Sequence, residues 1–294
     1  MIKPGLDWKK ISIAITLLVF TRGVFVLCVL PPFEGWDEYQ HIAYMVYLRE
    51  QRDLPAFGKA KVPDSMPAML RRYPHPALAN NQHWRWGTKT YQTFWDQTKN
   101  PAVDDSAKLP IYQAQQGPLY YVVALPVWII ASKLGELAQI YSLRLLNVLF
   151  LAAAVFIFLQ TIARSIPNLR HRLIVAILVG TYPLYVITAA RVTNCALSIL
   201  FGSAALYYIV RAIEKKPPFR YLTLAACCVG LGILAKATMM TMIPVLIVGV
   251  VICAYRHKLN VRASVKTLAA CIGIVFLSWR RFSSATIEPV AWLI

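Results

Sequence analysis

The sequence predicts an all-α membrane protein, a bundle of about seven transmembrane helices with a large external loop, and two observations carry this prediction. Hydrophobic residues make up 58% of the 294 residues and charged residues only 15%. The hydrophobic residues are concentrated in long runs suited to spanning lipid, and the sequence shows no alternating strand of the barrel type. A backbone in lipid must satisfy its hydrogen bonds within its own segment, so these runs are predicted to be helices.

The first apolar run, 11–30, follows the basic residues Lys3, Lys9 and Lys10. It resembles a signal peptide, but it is too long, contains Arg22 and lacks an A-x-A cleavage site. We therefore interpret it as an uncleaved anchor. Because basic flanks stay in the cytoplasm, the loop that begins at Pro31 is predicted to be on the other side.

The segment 118–132 is apolar but short, and Pro126 interrupts it. If this segment spans the membrane, three later basic loops lie on the non-cytoplasmic side. If it lies flat on the membrane or re-enters it, all three loops lie in the cytoplasm. The second arrangement agrees with the preference of basic loops for the cytoplasm, so an interfacial or re-entrant helix is predicted. The further predicted spans are 142–163, 173–190, 193–211, 220–235, 238–255 and 265–279.

Residues 31–141 are predicted to form an ordered external layer within a single domain, 1–294. The layer includes an aromatic-rich tract at 71–95, which is unlike a disordered linker. Tyr120, Tyr121 and Trp128 are expected at headgroup depth, where aromatic rings collect.

The net charge is +18, which in a soluble protein would suggest a nucleic-acid partner. Here most basic residues lie in short loops between apolar runs, so they indicate orientation in membrane lipid and no nucleic acid is expected. The six cysteines lie in or beside apolar segments and show no C-x-x-C spacing. Neither disulfides nor a zinc-thiolate site is predicted.

A cluster of reactive groups follows the first span: Glu34, Asp37, Glu38 and His41. Asp37 is predicted to begin a helix whose apolar face carries Ile42, Met45, Val46 and Leu48. Carboxylates are favoured in the first turn of any helix, so capping alone would explain one of these acids. Three acids and a histidine at the mouth of a span favour a functional site at the membrane surface.

Four cations occupy positions that insertion into lipid disfavours: Arg22, Arg144, Arg191 and Lys236. Each would cost on the order of 3 kcal/mol near mid-span, so a partner is expected. Snorkelling to the interface is the alternative for Arg144 and Arg191. Lys236 divides one continuous apolar run, 229–246, and a cation there could neutralise the phosphate of a lipid-linked substrate.

Five motifs in this order resemble the GT-C superfamily of polyprenyl-phosphate-sugar glycosyltransferases, over about residues 15–255. They are the acidic motif after the first span, QAQQGPLYY, SLRLLN, RVTN, and LAK before a proline-containing span. The pattern looks closest to bacterial members of the group that includes protein mannosyltransferases and aminoarabinose transferases. Relatives usually continue for several more spans, and we expect this sequence either to be a fragment or to carry an aberrant end.

The resemblance implies a polyprenyl-phosphate-linked sugar donor and an active face on the periplasmic side of a bacterial inner membrane. It implies that Asp37 is the catalytic base or places the acceptor, with Glu38 second in the pair. Lys236 matches a lysine that faces the carrier phosphate. Independently of the resemblance, Arg144 or Arg191 is expected to assist Lys236 in stabilising the leaving phosphate. His41 matches a histidine one turn below the acids.

Two further roles are expected for residues of this region. Asp37, Glu38 and His41 could coordinate a divalent cation, although their spacing fixes no geometry and no metal site is predicted. Aromatic residues could stack on sugar rings or anchor the interface: Trp36, Tyr39, Trp84, Trp86, Tyr120 and Tyr121.

Two rival hypotheses stay open at this point. A transporter or flippase of a lipid or lipid-linked sugar would need Lys236 and Arg191 but not the carboxylate of Asp37. An inactive, truncated membrane subunit is the other.

Overall fold

The computed structural model describes residues 7–33, 37–72 and 110–259, with positions 262, 265, 266, 269–273 and 276. Within these residues no strand forms, and Lys61 and Pro110 make an isolated antiparallel bridge. The all-α membrane class is therefore confirmed. The helices are α1 (Trp8–Val29), α2 (Glu38–Gln51), α3 (Met66–Arg72), α4 (Leu119–Ala131), α5 (Glu136–Ser165), α6 (Leu169–Thr181), α7 (Pro183–Ala189), α8 (Cys195–Glu214), α9 (Phe219–Ala235) and α10 (Met242–His257).

Among the described residues, four helical segments are long and apolar enough to cross a membrane: α1, α5, α8 and 237–257, which contains α10. The pair α6 and α7 bends by 44° and makes a fifth span if it counts as one. With its 17 residues, α9 is shorter. These helices coincide with the first six predicted spans, and the eight described positions of the seventh, 265–279, are helical.

Helix α4 has the position predicted for the short apolar segment. Its 13 residues extend over roughly 20 Å, which is less than the hydrocarbon core of a bilayer. Tyr120, Tyr121 and Trp128 are fully buried against the protein. They therefore pack inside the protein, while apolar residues such as Val122 and Ile130 form the exposed face of α4. Their depth in the membrane stays a prediction.

Helix α5 is central, since it packs on α1, α4 and α8, and α8 in turn packs on α9 and α10. The close approach of neighbouring helices depends on glycine at two contacts. A Cβ on Gly23 of α1 would lie 2.6 Å from Val148 of α5, and one on Gly249 of α10 would lie 2.7 Å from Ile209 of α8. Small residues at helix contacts are typical of membrane bundles, because they let backbones approach each other.

Arg22, in the interior of α1, has the kind of partner that its position requires. Its guanidinium donates to the carbonyls of Gly180 and Thr181, the second at 3.2 Å. Both carbonyls lie at the end of α6, where helical carbonyls lack partners within the helix. Arg22 thus stabilises the bend between α6 and α7.

Candidate functional site

The polar site lies at one end of the bundle. At this end the Arg144 side chain on α5 contacts the carbonyl of Pro31, the Asn147 side chain contacts the carbonyl of Arg191, and the Asn194 side chain contacts the carbonyl of Ala235. These contacts join the end of α1, the start of α5, the start of α8 and the end of α9. The basic loops lie at the opposite end, where Arg164 pairs with Glu214 at 3.1 Å.

Asp37 precedes α2 and is exposed. Its φ of 62° is in the left-handed region, which aspartate tolerates better than most residues. Its main-chain carbonyl accepts from the amides of Gln40 and His41 at 2.9 and 3.1 Å. The helix therefore begins where the sequence predicted. The side chain makes no capping bond, so capping does not account for this carboxylate.

The carboxylate of Asp37 instead faces the turn Tyr112–Gln115. The hydroxyl of Tyr112 donates to Oδ1, and Nε2 of Gln113 lies 3.5 Å from Oδ2. Burial, together with the hydrogen bond to Asp37, raises the pKa of Tyr112. The tyrosine therefore stays protonated and acts as a donor that orients the carboxylate.

Glu38 and Arg144 form a buried ion pair, with no exposed surface on either side chain. Nε and Nη2 of Arg144 donate to the two carboxylate oxygens at 2.8 and 2.6 Å. The remaining guanidinium N–H groups face the carbonyls of Leu27, Leu30 and Pro31 at the end of α1. This geometry is bidentate, which is the strong arrangement for arginine and carboxylate.

The pair also fixes the main chain around Asp37. The carboxylate of Glu38 accepts from the amide of Phe33 at 2.9 Å and from that of Val192 at 2.8 Å. We predicted Glu38 as catalytic and Arg144 as a phosphate ligand. In the structure both side chains are fully buried and paired with each other, so neither presents a polar atom to a substrate. Both side chains instead bond to main-chain groups, at the end of α1 and at Val192.

Lys236 occupies the break between α9 and the turn Ala237–Thr241, in an extended conformation with φ −154°. It is half-buried, and Nζ donates to Sγ of Cys195 at 2.9 Å. Arg191 is also half-buried. Burial, followed by the charges of Lys236 and Arg191, lowers the pKa of His41 to about 3. The turn that carries Arg191 also contacts α2, since the amide of Val192 donates to Glu38 at 2.8 Å.

One segment, residues 112–117, connects Asp37 with Lys236. Tyr112 and Gln113 contact the carboxylate, whereas Oε1 of Gln116 accepts from the amide of Ala237, next to Lys236, at 3.4 Å. The segment thus contacts the predicted base directly and the predicted phosphate ligand through the neighbouring residue, Ala237.

Gly117 permits this arrangement, since a Cβ there would lie 2.0 Å from the main-chain oxygen of Leu234. We expect Gly117→Ala to move the segment off α9 and to destabilise the protein by about 1–3 kcal/mol, because the obstructing atom is backbone and cannot rotate away. Thermal unfolding in detergent measures this effect. In the control Gly202→Ala the nearest atom is 3.5 Å away, and unchanged or raised stability is expected. Equal stability of both variants would contradict the prediction.

The other predicted site residues form an aromatic cluster. Nδ1 of His41 lies 2.9 Å from the hydroxyl of Tyr121, whose ring stacks on Tyr44 with centroids 3.6 Å apart. The hydroxyl of Tyr120 accepts from Asn147 at 3.1 Å. His41, Tyr120 and Tyr121 are buried. In this conformation they pack inside the protein next to the site and present no surface to a sugar.

Asp37, Glu38 and His41 do not converge as metal ligands. Glu38 is committed to Arg144 and His41 contacts Tyr121. Within the described ranges, no three such side chains are grouped to hold an ion. Of the remaining candidates, Tyr39 is half-buried, while Glu34, Trp36, Trp84 and Trp86 lie outside the described residues.

Sequence reasoning missed Tyr112 and Cys195. Tyr112 directly precedes the QAQQGPLYY motif, but nothing in the local pattern separates it from the other tyrosines. For Cys195 the sequence gives no prediction beyond the absence of a disulfide and of a zinc-thiolate site. Its contact with Lys236 joins residues 41 positions apart, and no spacing rule could have found it.

Fold and site together define a polytopic membrane protein with a carboxylate and cations at one end of its helices. A family model described as dolichyl-phosphate-mannose-protein mannosyltransferase matches residues 121–279. This is more than half of the chain, and the chain belongs to that family. It is accordingly a membrane glycosyltransferase of the GT-C kind. The match contains Arg144, Arg191 and Lys236, whereas Asp37 and Glu38 precede it. No curated protein and no solved structure matches the chain.

Proposed function

We propose that the protein transfers a sugar from a polyprenyl phosphate to an acceptor hydroxyl, with Asp37 as the base and Lys236 on the phosphate. The observation that carries this proposal is that the segment 112–117 contacts the carboxylate of Asp37 at one end and, through Gln116, the amide of Ala237 next to Lys236 at the other. Asp37 is exposed and its carboxylate is held by side chains rather than by a helix end. Lys236, like Arg191, is a half-buried cation.

In the proposed reaction, the acceptor oxygen attacks the anomeric carbon while Asp37 takes the hydroxyl proton. The bond between the anomeric carbon and the phosphate oxygen breaks, and its electron pair stays on the phosphate. Attack from the face opposite the phosphate inverts the anomeric centre. The ammonium of Lys236 stabilises the charge that develops on the phosphate, a contribution that is often the largest in catalysis.

The orientation of the site follows from the distribution of charge. The basic groups Arg164, Arg170, Arg172 and Arg211 lie on the loops and helix ends opposite to the site. Basic loops stay in the cytoplasm, so Asp37 and Lys236 belong on the non-cytoplasmic face. In a bacterium that face is the periplasmic side of the inner membrane.

Lys236→Ala is expected to lower kcat/KM for a polyprenyl-phosphate sugar by roughly 10²- to 10³-fold, as is found when one charge-stabilising group is removed. Transfer of labelled sugar by membranes that contain the full chain measures this effect. Lys133→Ala is the matched control, since Lys133 is an exposed lysine at the end of α4. Transfer at the wild-type rate by Lys236→Ala, with a labelled product formed, would refute this role.

A further inference from the structure

We infer that Cys195 is a positioning residue that holds the ammonium of Lys236 toward the donor phosphate. The inference rests on the proposed function, because it gives Lys236 its phosphate role. It begins from the contact of 2.9 Å between Nζ and Sγ. Cys195 is the first residue of α8, and its thiol is half-buried.

The main chain on both sides of this contact is fixed. The side-chain amide of Asn194 donates to the carbonyl of Ala235 at 2.9 Å, and this bond ties the residue before Cys195 to the residue before Lys236. The amide of Lys236 donates to the carbonyl of Gly232 at 2.8 Å. The main chain is therefore fixed next to both Cys195 and Lys236, and the lysine side chain reaches from its own backbone to the thiol of Cys195.

The turn that leads into Cys195 is also fixed by hydrogen bonds to Glu38 and Asn147. The amide of Val192 donates to Glu38, and the carbonyl of Arg191 accepts from Asn147. Since Glu38 directly follows Asp37, the turn 191–195 connects the position of the base with the position of the lysine. A displaced turn would change the separation of the two groups.

A thiol suits this task chemically. It is a weak acceptor, and the ammonium has three donors, so one contact with Sγ leaves two for phosphate oxygens. A carboxylate at the same position would pair with the ammonium and compete with the phosphate. A small apolar residue would leave the flexible lysine stem free to rotate, and ordering it on binding would then cost entropy.

A double-mutant cycle on the full chain in detergent tests the inference, with polyprenyl phosphate as the binding probe. Cys195→Ala is expected to raise the Kd for the probe by about three- to tenfold, the range for one modest hydrogen bond. Cys195→Ser keeps an acceptor and is expected to stay within about twofold of wild type. Cys195→Asp is expected to weaken binding at least as much as alanine. Cys28→Ala, in the exposed part of α1, is the control.

The decisive comparison is Cys195→Ala in the Lys236→Ala background, where a residue that acts through Lys236 has no further effect. If Cys195→Ala weakens binding equally in both backgrounds, or has no effect in the wild type, the positioning role is overturned. If Lys236→Ala itself leaves the Kd unchanged, the phosphate role in the proposed function fails, and the inference fails with it. The cycle therefore distinguishes the two failures.

Discussion

Replacement of Asp37 by asparagine is expected to lower kcat for sugar transfer by roughly 10²- to 10⁴-fold, the range for loss of a general base. The amide has nearly the same shape and can still accept from the hydroxyl of Tyr112, so the fold is expected to persist. Asparagine, like aspartate, tolerates the left-handed φ of 62° at this position. Single-turnover transfer from a labelled donor measures the chemical step.

Asp53→Asn is the matched control, because Asp53 is an exposed carboxylate that accepts only from the neighbouring amide of Leu54 among its described contacts. Its rate is expected to equal that of wild type. The comparison also addresses the rival hypothesis of a flippase, which has no use for the carboxylate of Asp37. Lipid movement without sugar transfer in the wild-type protein would favour that rival.

Arg144→Met is expected to destabilise the protein by about 3–5 kcal/mol, because the substitution leaves the carboxylate of Glu38 buried without its counter-ion. Both side chains of this pair are fully buried, so solvent cannot replace the arginine. Unfolding in detergent micelles measures the loss. Adding Glu38→Gln to Arg144→Met is expected to recover part of it, since a neutral amide removes the unpaired charge and still accepts from Val192.

Arg72→Met is the control for that experiment. The pair formed by Arg72 and Glu136 has a similar length of 2.6 Å, but its side chains are 60% and 27% exposed. Exposed pairs contribute about 0–1 kcal/mol, so little change is expected. Similar losses in both variants would show that burial is not the reason for the effect at Arg144.

The membrane class and most helix positions could be predicted because they depend on local properties of the sequence. Apolar runs define the spans, prolines end α1, and the buried residues Ile42, Met45 and Val46 of α2 follow the predicted apolar face. The need of Arg22 and Arg144 for partners could also be predicted, since an unpaired charge is costly both in lipid and in a protein interior.

The partners themselves could not be predicted. Glu38 and Arg144 lie 106 positions apart, and Tyr112 lies 75 positions from Asp37. The two neighbouring acids look alike in the sequence, yet successive residues at a helix start point in different directions. One carboxylate therefore enters the core and the other faces the exposed side. The buried state of Tyr120 and Tyr121 likewise depends on how α4 rotates against α2, which no local pattern encodes.

The most direct test of the central claim is the affinity for polyprenyl phosphate, measured side by side for Asp37→Asn and Lys236→Ala. Because the account assigns proton transfer to one residue and the phosphate to the other, Asp37→Asn should bind the probe like wild type. Lys236→Ala should bind at least about tenfold more weakly, as expected for loss of a charge-assisted contact. Equal affinities of all three proteins, or weakening by Asp37→Asn alone, would contradict the assignment of the two residues to one site.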